Sequence, residues 1–191
     1  MKTLALALSA LVLVAAGWVG FGERYTFQEG SRVWVTGTST LHDWECEAEQ
    51  LAGTLAADPG GAALGSLSEL SVVVPVQAIE CGNGTMNGKL RDAFDVRANP
   101  TIRFDLASAE VVPGSGDRFT VRATGRLTMA GAVRPVTLEA DGQALASGRY
   151  RFTGAVPLEM TAFGMKPPTA MLGTLKTGDR VVVHYDVTVG S

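Results

Sequence analysis

The sequence contains few of the side chains that build catalytic and metal sites. Its 191 residues include two histidines and two cysteines. A zinc site takes three or four protein ligands, and His184 falls on the polar face of its predicted strand, which leaves His42, Cys46 and Cys81. This scarcity argues against a metal centre, and we expect neither a bound metal nor a catalytic residue.

Charge is also sparse. Charged residues make up 18% of the chain, and the formal net charge is -3. Such a chain has no overall basic field that would gather nucleic acid or an anionic membrane face. The length suits one domain with a full core, and a hydrophobic content of 46% excludes a disordered chain. We therefore expect a single globular domain without a nucleic-acid partner.

The N-terminal segment has no charge between Lys2 and Glu23 and contains an apolar run from Leu4 to Ala16, followed by small residues. This layout is typical of a secretory signal peptide with cleavage near Ala16 or shortly after. We expect a signal peptide over 1–22, a folded domain over 23–191, export to the periplasm, and no stable membrane insertion after cleavage. The alternative is a retained anchor, because the uncharged segment is about long enough to span a bilayer.

The two cysteines of an exported chain favour a disulfide between Cys46 and Cys81. In the chain-entropy model, a cross-link across this loop stabilises the fold by roughly 3 to 4 kcal/mol. Two buried free thiols are the alternative, because the sequence does not give the distance between the Cα atoms.

Alternation of apolar and polar residues is the clearest pattern in the sequence. In FTVRATGRLTM, residues 119–129, apolar residues occupy one face and threonines and arginines the other. A two-residue period of apolar side chains predicts a strand with one buried (dry) face and one solvent-exposed (wet) face. The Ala130-Gly131 turn and the alternation at 136–141 predict a hairpin, and segments 150–160 and 180–189 repeat the pattern.

Other segments complete an all-β prediction. Strands are expected at 31–40, 45–56, 70–78 and 101–112, separated by turns such as Asp58-Pro59-Gly60-Gly61. A short helix is expected at 85–94, where apolar residues recur at helical spacing. About eight mostly antiparallel strands indicate a barrel or a sandwich.

The dry strand faces mix large residues with small ones, including Ala123, Gly125, Ala140 and Gly154. Small residues leave volume, and an eight-stranded barrel can hold one small ligand. The alternative is an interior that aromatic side chains and the helix fill completely.

The stretch TSTLHDWEC, residues 38–46, gathers side chains that resemble a reactive site. A Cys-His nucleophile would need a reduced thiol in an oxidising compartment, and an enzyme acting through His42 and Asp43 is the less favoured interpretation. The favoured interpretation is structural: Trp44 anchors the core, and Asp43 accepts backbone hydrogen bonds in a tight turn.

Four segments carry patterns that are typical of one known family. The most specific is GRLTMAGAVRPVTLEA at 125–140, and the others are TGTSTLHDW at 36–44, MNGKLRDAFDVRANPTIRFD at 86–105 and LEMTAFGMKPP at 158–168. Through these segments the chain from about Tyr25 to Val189 resembles the YceI-like lipid and polyisoprenoid-binding family.

The resemblance implies an eight-stranded antiparallel, lipocalin-like β-barrel with a short helix after the third strand. It also implies a non-enzymatic, cofactor-free protein that encloses an amphipathic isoprenoid lipid of the quinone or polyprenyl type, and it makes a homodimer worth testing. The expected cavity lining comes from the dry strand faces and the helix: Trp34, Trp44, Met86, Leu90, Phe94, Phe104, Phe119, Val121, Leu127, Leu138, Phe152, Leu158, Phe163 and Met165. The alternative function is an envelope stress or protein-interaction module with a filled barrel.

Overall fold

The structure is a computed structural model that describes residues 22–61, 63–170 and 174–191. The predicted signal peptide lies almost wholly outside the described residues, so its cleavage stays a prediction. Over the described ranges the chain forms one α-helix, α1 at Gly84–Phe94, and strands β1 to β12. In chain order the strands are Glu23–Phe27, Arg32–Ser39, Trp44–Ala48, Ala52–Gly60, Ala63–Pro75, Ile79–Glu80, Thr101–Pro113, Arg118–Met129, Ala132–Leu145, Arg149–Glu159, Thr169–Ala170 and Leu175–Gly190.

Eight of the strands form a closed ring. They neighbour one another in the order β1, β4, β5, β7, β8, β9, β10 and β12, and every pairing is antiparallel. The ring closes where Thr26 and Phe27 of β1 pair with Gly190 and Val189 of β12. Closure pairs the edge strands that an open sheet would leave exposed. The predicted all-β, eight-stranded antiparallel barrel is therefore confirmed.

Three short strands extend the sheet from β12. Strand β2 pairs with Val181 to Asp186 of β12, β3 pairs with β2, and β6 pairs with β3. The predicted disulfide is present in this extension: Cys46 of β3 is bonded to Cys81, which follows β6, at an S–S distance of 2.05 Å. The bridge joins β3 to the segment that leads into α1.

Helix α1 is fixed at both of its ends. The Asn83 side chain accepts a hydrogen bond from the Met86 amide at 2.9 Å, which caps the first turn. Asp95 ends the helix in the left-handed conformation, with φ of 47°. The buried Asn87 accepts a hydrogen bond from the Cys81 amide at 2.8 Å, so the helix is also tied to the disulfide segment.

The two ends of the barrel are closed differently. At one end, Tyr25, Phe119, Tyr150 and Phe152 meet edge to face, with ring centroids 5.5 to 6.1 Å apart. This is a favourable geometry for aromatic rings, and we call the four residues the aromatic plug. At the other end, α1 and the 3₁₀ turn Met160–Phe163 cover the barrel through a buried cluster: Val76, Phe94, Met129, Met160, Phe163, Met165 and Val181.

The strand boundaries differ from the predictions in several places, and β5 begins at Ala63, ahead of the predicted start near 70. The segment 45–56, predicted as one strand, is divided into β3 and β4 by an interruption at 49–51. Strand β1 was not predicted, because its five residues carry a single fully buried side chain, Tyr25, which is too short a pattern to recognise. The helix follows the predicted strand at 70–78 as expected, after the two-residue β6.

Removing the disulfide should lower the stability of the barrel without changing its fold. The bridge closes a loop with a sequence separation of 35, so the double substitution Cys46→Ala/Cys81→Ala should lower the free energy of unfolding by roughly 3 kcal/mol. Urea titrations of the oxidised wild type and the double variant measure this difference. Equal free energies of unfolding would contradict a stabilising role for the bridge.

Candidate functional site

The barrel encloses two chambers that share part of their walls. The larger has a volume of about 220 Å³ and lies between the aromatic plug and the middle of the barrel. The smaller, of about 170 Å³, lies beneath α1. Seven residues border both: Val35, Cys46, Ile79, Ile102, Met129, Leu158 and Val183. These seven residues form a shared wall, so the two chambers adjoin one another.

The larger chamber has an apolar wall. It is bordered by residues of eleven strands, among them Ala123 and Ala140, where short side chains leave room. Empty cavities of this kind lined by aliphatic side chains stay dry. The larger chamber therefore suits an apolar ligand or ligand segment.

The smaller chamber reaches a polar border. Lys89, Pro168 and Thr177 line it beside apolar residues of α1. The Lys89 ammonium donates a hydrogen bond to the Thr169 carbonyl oxygen at 2.6 Å, which links α1 to β11. Within the described part of the chain, Lys89 is the one charged residue that borders either chamber. We call Lys89, Pro168 and Thr177 the mouth.

Twelve of the predicted lining residues border the chambers. The larger chamber contacts Trp34, Phe104, Val121, Leu127, Leu138, Phe152 and Leu158; the smaller contacts Trp44, Met86, Leu90, Phe94, Leu158 and Met165. Whether each contacts a ligand stays a prediction. Strands β5 and β12 add residues that were not predicted, including Val72, Val74 and Val183. Consecutive valines obscure the alternation in SVVVP, whereas the alternation predicted over 180–189 agrees with the inward position of Val183.

Two predicted residues lie away from both walls. Phe119 is only 2% exposed and belongs to the aromatic plug, where its ring covers Gly142. Phe163 is buried in the cluster under α1 with Phe94 and Met160. Both residues therefore close an end of the barrel instead of lining its interior, because Phe119 is the second residue of β8 and Phe163 lies in the 3₁₀ turn that follows β10.

Trp34 reaches the wall of the larger chamber, but its indole lies on the outer face of the barrel. Its ring stacks on His184 with centroids 5.1 Å apart, and the Arg32 guanidinium lies 5.1 Å from its centroid. Val33 and Val35 take the inward positions and pack against the core. The Trp34 side chain therefore points outward from β2, and not toward the cavity as the sequence analysis predicted.

Two of the four small residues that were expected to leave volume are covered by aromatic rings. A Cβ at Gly125 would lie 2.5 Å from the Phe104 ring, and one at Gly154 would lie 2.4 Å from the Tyr185 hydroxyl. These glycines are therefore needed for close approach of the rings, and they do not enlarge the cavity. Ala123 and Ala140 do border the larger chamber.

Tyr185 is the principal polar group in the wall of the larger chamber. Its hydroxyl donates a hydrogen bond to the Glu139 carbonyl oxygen at 2.7 Å. Burial, followed by the negative charges of Glu139 and Asp141, raises the pKa of Tyr185 to about 12. The hydroxyl is therefore neutral and already satisfied, so it does not act as an acid or a base in this wall.

The TSTLHDWEC stretch forms a turn between β2 and β3. The His42 ring nitrogen Nδ1 contacts the backbone oxygen of Asp43 at 2.6 Å, not its carboxylate. The Ser39 hydroxyl accepts hydrogen bonds from the amides of Leu41 and His42. Neither His42 nor Asp43 borders the chambers. Trp44 does border the smaller one, and its indole donates a hydrogen bond to the Thr38 carbonyl oxygen at 3.1 Å.

Within residues 22–61, 63–170 and 174–191, no three His, Cys, Asp or Glu side chains lie together as ligands for a metal ion. The same ranges contain no helix with the length and apolar character needed to cross a bilayer.

The sequence model of the YceI-like domain matches residues 25–189. The chain belongs to the YceI-like domain family. The match confirms the resemblance seen in the sequence motifs. No curated protein matches the chain in sequence.

Solved structures share the fold of this YceI-like chain at low sequence identity. The polyisoprenoid-binding domain of Saccharophagus degradans, implicated in plant cell wall breakdown, has a TM-score of 0.67 at 12% identity, covering 87% of this chain and 98% of its own. Burkholderia cenocepacia BcnA has a TM-score of 0.66 at 18% identity, covering 83% and 95%. The Campylobacter jejuni YceI protein has a TM-score of 0.59 at 17% identity, covering 76% and 84%.

The raised pKa of Tyr185 predicts a loss of stability in alkali. The folded protein holds the phenolic proton until pH of about 12, whereas the unfolded chain releases it near the usual value of 10. The contribution of the Tyr185 phenol to the free energy of unfolding is therefore complete below the pKa of the unfolded chain. It is lost as the pH rises from 10 towards 12. Urea titrations across this window should show a smaller decline for Tyr185→Phe than for the wild type. An equal decline in the two proteins would contradict the assignment.

Proposed function

We propose that this protein binds an amphipathic lipid without chemically changing it and holds the lipid's apolar chain in the two-chamber cavity. An isoprenoid lipid of the quinone or polyprenyl type is the ligand class that we favour. The observation that carries the proposal is the pair of adjoining chambers with mostly apolar walls, one inside the barrel and one beneath α1. A filled barrel, which the protein-interaction alternative requires, does not agree with these chambers.

The driving force would be removal of the chain from water. Each buried methylene contributes about 0.8 kcal/mol, from which the cost of ordering a flexible chain is subtracted. An apolar wall gives little directional recognition, so the length and shape of the chain would decide selectivity.

Membership of the YceI-like family supports the proposed isoprenoid ligand class, and the disulfide supports the proposed periplasmic location. One structural relative is described as a polyisoprenoid-binding domain. Intramolecular disulfides persist in oxidising compartments, so the Cys46–Cys81 bridge agrees with an exported, periplasmic protein.

Filling the larger chamber should abolish binding. Ala123 is 4% exposed and borders this chamber, so Ala123→Phe would place a ring where the chain lies, at a cost in stability of about 1 to 3 kcal/mol. We expect a loss in affinity of at least about tenfold, equivalent to roughly 1.4 kcal/mol. Fluorescence titration with an isoprenoid quinone analogue measures the affinity.

The matched control is Thr120→Phe, which adds the same ring to the exposed outer face of β8. This variant should bind as the wild type does. Mass spectrometry of organic extracts from the purified wild type should also detect a bound lipid. If the extracts contain no lipid and the analogue neither binds nor raises the Tm, the proposed function is wrong.

A further inference from the structure

The methionines of the described domain converge on one chamber. The described ranges hold Met86, Met129, Met160 and Met165, and all four border the smaller chamber. They come from four separate parts of the chain: α1, the end of β8, the 3₁₀ turn after β10 and the segment that follows this turn. Of these, Met129 alone also borders the larger chamber, whose wall is dominated by valine and leucine. Thioether sulfur is therefore concentrated beneath α1.

Methionine sulfur gives the smaller chamber a preference for a flat ring. The sulfur is polarizable and makes favourable contacts with the π system of a ring, and the unbranched side chain adapts to the outline of its partner. Trp44 and Phe94 border the same chamber, and their rings offer flat surfaces against which another ring can stack or pack edge to face. The smaller chamber therefore suits a planar head, whereas the larger chamber suits an aliphatic or isoprenoid chain.

The smaller chamber also offers a hydrogen-bond donor with spare capacity. The Lys89 ammonium has three N–H donors, one of which contacts the Thr169 carbonyl oxygen at 2.6 Å. None of the ion pairs found among the described residues uses Lys89. In the wall of the larger chamber, by contrast, the Tyr185 hydroxyl already donates its hydrogen bond to the Glu139 carbonyl oxygen. A head with an acceptor oxygen therefore finds its donor at Lys89.

The charges at the helix end disfavour an anionic head. Among the residues that the structure describes, Lys89 is the single charged one at the border of the smaller chamber. The carboxylates of Asp92, Asp95, Glu159 and Asp179 lie at the same end, on or beside α1 and the 3₁₀ turn. A phosphate head carries about 1.5 to 2 negative charges at neutral pH, and one ammonium among carboxylates does not offset the cost of removing these charges from water. The acceptor that fits is a neutral one, such as a carbonyl oxygen.

The opposite end of the barrel has no comparable place for a polar head. Tyr25, Phe119 and Tyr150 of the aromatic plug are all buried, and a polar group placed among them without a hydrogen-bond partner would be unfavourable. At the helix end, Lys89 and Thr177 are half-buried and border the smaller chamber. The polar end of an amphipathic lipid therefore belongs beneath α1.

We propose that the smaller chamber is the head-group site of the bound lipid and that it selects a neutral planar ring with a carbonyl oxygen. The carbonyl oxygen accepts a hydrogen bond from the Lys89 ammonium, and the ring contacts the methionine thioethers. The apolar chain extends towards the larger chamber. This inference rests on the proposed lipid-binding function, and it makes Lys89 a residue that determines specificity, favouring a lipid of the quinone type over a polyprenyl phosphate.

Three uncharged probes with similar chains separate the two contacts. Decyl-1,4-benzoquinone has both the ring and the carbonyl oxygens, decylbenzene has the ring alone, and 2-dodecanone has a carbonyl oxygen without a ring. Competition with a fluorescent apolar dye measures the three affinities, and the wild type should bind the quinone most tightly. Decyl phosphate is the anionic probe and should bind less tightly than the quinone. Tighter binding of decyl phosphate would overturn the selection of a neutral head.

The variant Lys89→Met keeps a long side chain on α1 and removes the donor. It should lower the affinity for the quinone and for 2-dodecanone by at least about tenfold, because a hydrogen bond from a charged donor is lost. The affinity for decylbenzene should not change. The matched control is Lys176→Met, which removes the same charge from an exposed position that borders neither chamber and should leave all three affinities unchanged. Equal losses for the quinone and decylbenzene, or no loss for the quinone, would contradict the role of Lys89.

The variant Met160→Leu/Met165→Leu removes two thioethers at nearly constant volume. It should weaken the binding of the two ring probes by about threefold and leave the binding of 2-dodecanone unchanged. Equal changes for all three probes would show that the thioethers do not recognise the ring. Because the probes are compared within one variant, a change in its stability does not alter this conclusion.

The two levels of the argument can fail separately. If the wild type binds the three uncharged probes with equal affinity, lipid binding stands and the selection of the head is wrong. If the wild type binds none of them, the proposed function is wrong and this inference is wrong with it.

Discussion

The volume inside a closed eight-stranded ring must be occupied by inward-facing side chains or remain as a cavity, and the distribution of large and small residues along the strands decides which. Here the largest inward-facing rings are concentrated at one end, where Tyr25, Phe119 and Tyr150 are each at most 6% exposed. Farther along the same strands, alanine and valine take the inward positions. The pairing of β1 with β12 closes the barrel and prevents the sheet from collapsing onto this space. The cavity therefore follows from the position of the aromatic side chains.

The opposite end is closed by elements that do not belong to the ring. Helix α1 rests on the buried side chains of Met129, Met160 and Val181, and it is joined to β3 through the disulfide segment and Asn87. Methionine side chains adapt to partners of different shape, whereas the aromatic rings of the plug pack in one arrangement. The two ends should therefore differ in rigidity. The aromatic plug should keep one packing arrangement, whereas the side chains at the helix end should be able to adjust around a bound chain.

The sequence predicted the architecture better than it predicted the interior. Alternation over 119–129 gave the orientation of β8 correctly, because each residue type there has a clear preference for one face. At Trp34 the same rule failed, since Val33 and Val35 compete with a large ring for the inward face, and the ring is accommodated outside by stacking on His184. The roles of Gly125 and Gly154 could not be predicted either, because they depend on rings from neighbouring strands, and pairing register is not visible in one sequence.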